Sequence, residues 1–259
     1  MQYPIGVICA DDTLIKTAKE YANELNIGVF QRPNQDGLYL FYDMDGLALK
    51  QVTKKPMGEL RIDFADGGLT WRRNHGGGNG QAIAKAIGVK QKARLSVLDA
   101  TAGTATDSFI LAALGCNVTM IERHPVVALL LQDGLERAGL NTDVRDITQR
   151  MSLFKGDALD SLSQLQESFD VVYLDPMFPH SEKKSAQVKK SMQYFRDMVG
   201  KDEDADGLLE PALDLARYRV VVKRPRKSPF LSNRQPTISH EGKANRFDIY
   251  VIQSMKDTE

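Results

Sequence analysis

The strongest constraint on this chain is a regular alternation of texture from residue 95 onward. Short apolar or β-branched runs at 95–99, 118–122, 152–155, 171–175 and 219–223 are separated by amphipathic stretches at 108–114, 125–138, 159–166 and 207–217. Strands that alternate with helices predict an α/β fold: a mostly parallel, Rossmann-like sheet covered on both faces, with ligands at the carboxyl ends of the strands. The last run, 247–253, is expected to close the sheet as an antiparallel strand.

Residues 5–73 read differently. A short apolar run at residue 5 and a helix-like stretch at 13–25 precede alternating segments at 38–43, 47–52, 59–64 and 69–73. Asp43-Met44-Asp45-Gly46 and Ala65-Asp66-Gly67-Gly68 supply turns between them. This predicts a small α+β unit over 1–75. Gly76-Gly77-Gly78-Asn79-Gly80 then marks a boundary before a helix at 81–86, and the larger domain occupies 76–259.

Lys and Arg together number 34, as do Asp and Glu, so attraction to a polyanion has to come from local basic patches. No stretch approaches the ~20 apolar residues of a membrane span, and the first residues lack a basic region leading into an apolar one. A cytoplasmic protein is expected, with no membrane partner. Cys9 and Cys116 lie in apolar segments without metal-ligand spacing, and both are expected as buried small hydrophobes. No metal is expected.

The run from Leu95 to Asp107 is a strand entering a small-residue turn that opens a helix, a place for a nucleoside. A dinucleotide site would bring three glycines to that turn; this one has Gly103 alone, flanked by Asp99 and Asp107. Carboxylates repel phosphate but complement the sulfonium and ammonium of S-adenosylmethionine. Glu122 ends the next strand, about twenty residues on, where a carboxylate accepts ribose hydroxyl protons. Asp157 ends the third and is placed to accept from the adenine amino group. Any one of these acids alone reads equally as a helix cap or loop residue.

Asp175-Pro176-Met177-Phe178-Pro179-His180 follows an apolar strand. An exocyclic amine on a base is a poor nucleophile because its lone pair is delocalised into the ring. The Asp175 carboxylate and the Pro176 carbonyl are candidates to hold its N–H groups and turn the lone pair toward a methyl donor, with Phe178 stacking on the base. His180 reads as an ordinary loop histidine.

Taken together, Asp99-Ala100-Thr101-Ala102-Gly103, Glu122-Arg123, Pro125-Val126-Val127, Asp175-Pro176-Met177-Phe178-Pro179 and Lys223-Arg224-Pro225 resemble the small-subunit ribosomal RNA methyltransferase J family over nearly the whole chain. The resemblance implies a class I methyltransferase sheet and transfer of a methyl group from S-adenosylmethionine to N2 of one guanine in 16S rRNA. It also implies cofactor contacts at Thr106, Asp107, Glu122, Arg123, Asp157, Ala158 and Asp175. One departure is Gly103-Thr104-Ala105-Thr106, which lacks the second glycine and the arginine of the family's loop.

Two basic clusters are expected to meet the RNA, as naked 16S rRNA or within the small ribosomal subunit. The first holds Lys183, Lys184, Lys189 and Lys190; the second holds Lys223, Arg224, Arg226, Lys227 and Arg234, with Phe230 among them. The acidic run 201–206 is expected as an exposed turn facing away from RNA. Three other readings of the chain are an adenine-N6 nucleic-acid methyltransferase, a non-catalytic RNA-binding assembly factor and a nicotinamide-dependent oxidoreductase, the last disfavoured by the missing glycines.

Overall fold

The computed structural model describes residues 3–54, 58–70, 78–89, 94–165, 167–177, 199–200, 202 and 204–255. Two sheets organise them. The smaller runs β2-β1-β3-β4, from β1 (Gly6–Ile8), β2 (Gly28–Phe30), β3 (Gly37–Asp43) and β4 (Gly46–Val52). β1 is parallel to β2 and β3, and β3 and β4 form a hairpin closed at Asp43 and Gly46. Helix α1 (Ile15–Leu25) buries Ala18, Tyr21, Ala22 and Leu25, a single stripe at helical spacing.

Three features of this unit differ from expectation. Leu60, Ile62 and Phe64 point inward with the alternation of a strand, but only Leu60 pairs, with Leu49. The Ile62 carbonyl instead accepts from the Arg137 guanidinium, so the backbone is drawn toward a helix and leaves the ladder. Residues 67–70 are helical, with the Asp66 carboxylate accepting from the Gly68 amide, and 71–73 lie outside the described residues. β2, only three residues long, carries too little pattern to be read from sequence.

The larger sheet has seven strands in the order β10-β11-β9-β8-β5-β6-β7. They are β5 (Ser96–Asp99), β6 (Asn117–Glu122), β7 (Met151–Lys155), β8 (Phe169–Leu174), β9 (Ala216–Pro225), β10 (Ile238–Glu241) and β11 (Asn245–Val251). β5 to β9 are mutually parallel, and β11 pairs antiparallel with β9 as expected. β10, which the sequence did not suggest, lies beyond β11 and forms the edge. The chain steps from β5 through β6 to β7, then returns to the other side of β5 for β8 and β9. Ligands collect at the strand ends where the winding reverses in this way.

The covering helices are α2 (Ala82–Ile87), α3 (Thr106–Ala113), α4 (Pro125–Leu140), α5 (Arg145–Thr148), α6 (Ala158–Gln164) and α7 (Leu209–Leu215). The helix expected over 207–217 is shorter, because Ala205–Leu208 is a 3-10 turn and Ala216 already belongs to β9. Val171 and Tyr173 feed one core while Val172 and Leu174 feed the other, so β8 is buried on both faces, as a central parallel strand requires. Residues 126–131 of α4 are all buried because that helix is covered by both sheets. Gly134 allows the contact: a Cβ there would lie 2.7 Å from the Ile62 carbonyl oxygen. Cys9 and Cys116 are buried free thiols. Among the described residues no helix is long and apolar enough to cross a membrane.

Candidate active site

A cavity opens at the carboxyl ends of β5, β6, β7 and β8, lined by Thr101, Gly103, Glu122, Arg123, Asp157, Ala158 and Asp175 among others. Its floor is the turn after β5. Gly103 has φ +55° and Ala105 φ +54°, so the alanine holds the left-handed conformation that a second glycine would take without strain. The altered loop therefore keeps a glycine-like backbone. Asp99 is buried beneath it, accepting from the Thr101 amide at 3.2 Å and from the Ser108 hydroxyl, and burial pushes its carboxyl up to about 7. Thr106 shares a hydroxyl contact with Thr104 at 3.2 Å. Asp99, Thr106 and Asp107 stand behind the turn and do not line the cavity.

Glu122 closes β6 with both oxygens engaged. Gly103 donates its amide to Oε2 at 2.8 Å and His124 donates its amide to Oε1 at 2.7 Å. Burial raises this carboxyl to about 7, against the opposing effect of the two amides. The carboxylate thus fixes the turn after β5 to the start of α4 and still lines the cavity. Asp157 caps α6, its Oδ1 accepting from the Leu159 amide at 2.9 Å, and it lines the cavity as well. The cap and the ligand readings of this acid are compatible.

Arg123 reaches Asp204 at 2.8 Å, Asp157 at 3.7 Å and Asp202. Asp202 also accepts from the Met177 amide at 2.6 Å, while its own amide donates to the Met177 carbonyl at 3.0 Å. The acidic run expected as an exposed turn also serves the cavity: Asp202 and Asp204 line it, Asp202 held by two bonds to the Met177 backbone and both by Arg123. The apolar walls, Ile121, Met177, Val199 and Leu208, were not singled out by sequence either. No local pattern marks them, since they come together only in the fold.

Asp175 follows β8, its amide donating to the Thr101 hydroxyl at 2.6 Å, and its side chain is partly open to solvent, 38% exposed. Lys223, inside β9, donates to Asp175 Oδ2 and to Asp107 Oδ2, each at 2.8 Å. The Tyr173 hydroxyl donates to the same Asp107 oxygen at 2.8 Å. Burial disfavours the ammonium, but the two carboxylates outweigh it and hold Lys223 well above the usual lysine range. Pro176 is buried beside Asp175. Phe178, Pro179, His180, Lys183, Lys184, Lys189 and Lys190 lie outside the described residues.

The second basic run divides in the structure. Lys223 turns inward, and Arg224 is buried with Nη2 donating to the Pro229 carbonyl at 2.6 Å. Arg226 and Lys227 are exposed, Arg226 pairing with Glu241 at 3.0 Å. Arg234 pairs with Glu210 at 2.7 Å. Phe230 is exposed at 36%, with the Arg246 guanidinium 4.8 Å from its ring centre. The end of β9 at Pro225 explains the division: Lys223 and Arg224 point to opposite faces of a strand covered on both, whereas Arg226 and Lys227 lie beyond it.

Comparison with known proteins agrees with this architecture. A family described as "Putative SAM-dependent methyltransferase" matches residues 21–252. Ribosomal RNA small subunit methyltransferase J of Marinobacter nauticus is 53% identical over 85% of this chain and 79% of its own length. The protein of the same name from Pseudoalteromonas atlantica is 51% identical over 94% of this chain and 96% of its own. The crystal structure of a SAM-dependent methyltransferase from Neisseria gonorrhoeae superposes with a TM-score of 0.74 at 38% identity, covering 95% of this chain and 94% of that one.

Proposed function

The chain belongs to the ribosomal RNA small subunit methyltransferase J family, and from that premise we propose that it methylates the exocyclic N2 amine of a specific guanine in 16S rRNA. The observation that carries this reading is one cavity onto which Glu122, Asp157 and Asp175 all face. The donor set fits S-adenosylmethionine: the cavity is rich in carboxylates, which complement a sulfonium and an ammonium and would repel a phosphate. In this reading Glu122 holds the ribose hydroxyls, Asp157 and Ala158 meet the adenine, and Asp99, Gly103, Thr106, Asp107 and Arg123 shape and close the pocket.

S-adenosylmethionine held there would supply a methyl group on a sulfonium, whose sulfur would keep the electrons of the broken C–S bond. Asp175 accepts one N–H of the guanine amine and the Pro176 carbonyl accepts the other, which frees the lone pair to form the new N–C bond. The methylated nitrogen then passes one proton to the Asp175 carboxylate, which is partly open to solvent and releases it there, leaving a secondary amine on the neutral base. Phe178 stacks on the base, and Lys227, Arg226 and Phe230 meet the flanking RNA. Residues 1–75 serve as a small N-terminal domain and 76–259 as the methyltransferase domain, working in the cytoplasm where ribosomal subunits are assembled.

Mass-spectrometric mapping of 16S rRNA from cells with and without the gene tests this. One N2-methylguanosine should vanish on deletion and return with the plasmid-borne gene. An unchanged rRNA, or loss of an N6-methyladenosine instead, overturns the assignment.

A further inference from the structure

Lys223 opens a basic run in the sequence, yet β9 points its ammonium at two carboxylates. Its side chain is 22% exposed and sits between Asp107 of α3 and Asp175 at the end of β8. We propose that Lys223 is a positioning residue and not a phosphate contact: it fixes the Asp175 carboxylate toward the target amine and ties it to the helix behind the cofactor turn. This rests on Asp175 being the acceptor for that amine.

Without the ammonium, two carboxylates from different elements would face each other across the space it fills. Like charges at such a separation do not both stay ionised, and one takes up a proton. A protonated Asp175 would present a donor where the amine N–H needs an acceptor. The remaining groups around the pair make this worse. Asp99 on β5 is a third acid below, Tyr173 on β8 already donates to Asp107, and Glu122, Asp157, Asp202 and Asp204 face Asp175 across the cavity, with Arg123 engaged among the last three. Lys223 is a cation in direct contact with Asp175. Its charge is neutralised inside the protein, so it has none to offer a phosphate.

The test is single-turnover methylation of small-subunit rRNA as a function of pH, with RNA affinity measured against salt, for wild type, Lys223→Met, Lys223→Arg and the double variant Lys223→Met/Asp107→Asn. Lys223→Met should be slower by roughly 10- to 100-fold at neutral pH, recover as pH rises, and keep the wild-type salt slope. The double variant should regain part of the rate because the repelling carboxylate is gone, and Lys223→Arg should stay closer to wild type than Lys223→Met. If Lys223→Met does not fold, Asp107→Asn alone decides: its acidic limb should move to lower pH. Unchanged pH profiles beside an active wild type overturn this proposal alone, as does a reduced salt slope with a normal rate at saturating RNA. An inactive wild type overturns both the proposal and the reading it rests on.

Discussion

The backbone amide of Asp175 donates to the Thr101 hydroxyl at 2.6 Å, joining the end of β8 to the turn that follows β5. The candidate catalytic carboxylate is thereby held by the same turn that floors the candidate cofactor cavity. Thr101→Val should leave that amide without its acceptor, at a cost of about 1 to 3 kcal/mol, and lower the methylation rate by at least about tenfold. Thr101→Ser should restore both. Denaturant titration and single-turnover kinetics on the two variants check this; equal rates for Val and Ser would remove the bond from the account.

With Glu122 as the ribose ligand, cofactor binding should carry a pH dependence with a definite sign. Burial raises its carboxyl to about 7, so the acceptor form that ribose hydroxyls need dominates above that pH and is lost as pH falls through it. S-adenosylmethionine affinity should weaken by about tenfold between pH 8 and pH 6. Glu122→Gln should bind more weakly and lose this dependence. Calorimetric titration at the two pH values decides, and a wild-type affinity flat across that range would argue against Glu122 as the ribose ligand.

Ala105 holds its left-handed φ of +54° in a buried position. Relief of backbone strain and loss of a buried methyl oppose each other in Ala105→Gly, so its stability should change by less than about 1 kcal/mol. A β-branched side chain cannot adopt this conformation cheaply, and Ala105→Val should destabilise by about 2 kcal/mol or more. Equilibrium unfolding of the two variants measures the difference. Equal stability would show that the turn has another conformation in solution.

The basic run after β9 yields opposite expectations for residues close together in the chain. Lys227→Glu should weaken RNA binding and lower the salt slope by about 0.7 to 0.9 for each phosphate that is no longer neutralised. Arg224→Glu places an unmatched charge in a buried site and should reduce stability by roughly 3 to 5 kcal/mol before RNA binding is at issue. Thermal melts together with salt-dependent binding separate the two; a stable Arg224→Glu protein with a reduced salt slope would return Arg224 to the interface.

The parts of this molecule legible in its sequence are those written locally. The apolar runs ending at Asp99, Glu122 and Leu174 announce strands, and the acids at or just after their ends fall at one edge of the sheet because parallel strands share a direction. What was hidden depends on interactions between distant segments. Asp202 and Asp204 read as a solvated turn, since nothing near them shows that Arg123 and the Met177 backbone will draw them over the cavity. Lys223 and Arg224 read as basic surface, since a charge pattern does not disclose that both faces of β9 are covered. The 59–64 segment shows strand alternation, yet the Arg137 bond to Ile62 that takes it out of the ladder spans 75 residues.

The central claim is that Asp175 acts on the target amine and not on cofactor affinity, and single-turnover methylation of small-subunit rRNA by Asp175→Ala and Asp175→Asn tests it most directly. S-adenosylmethionine affinity is measured on the same preparations and the product identified as its nucleoside. The account predicts N2-methylguanosine from wild type, a rate loss on the order of 10² to 10³ in Asp175→Ala and a clear loss in Asp175→Asn, with cofactor affinity nearly unchanged in both. Near-normal rates with badly weakened cofactor binding would contradict it and make Asp175 a cofactor ligand alone.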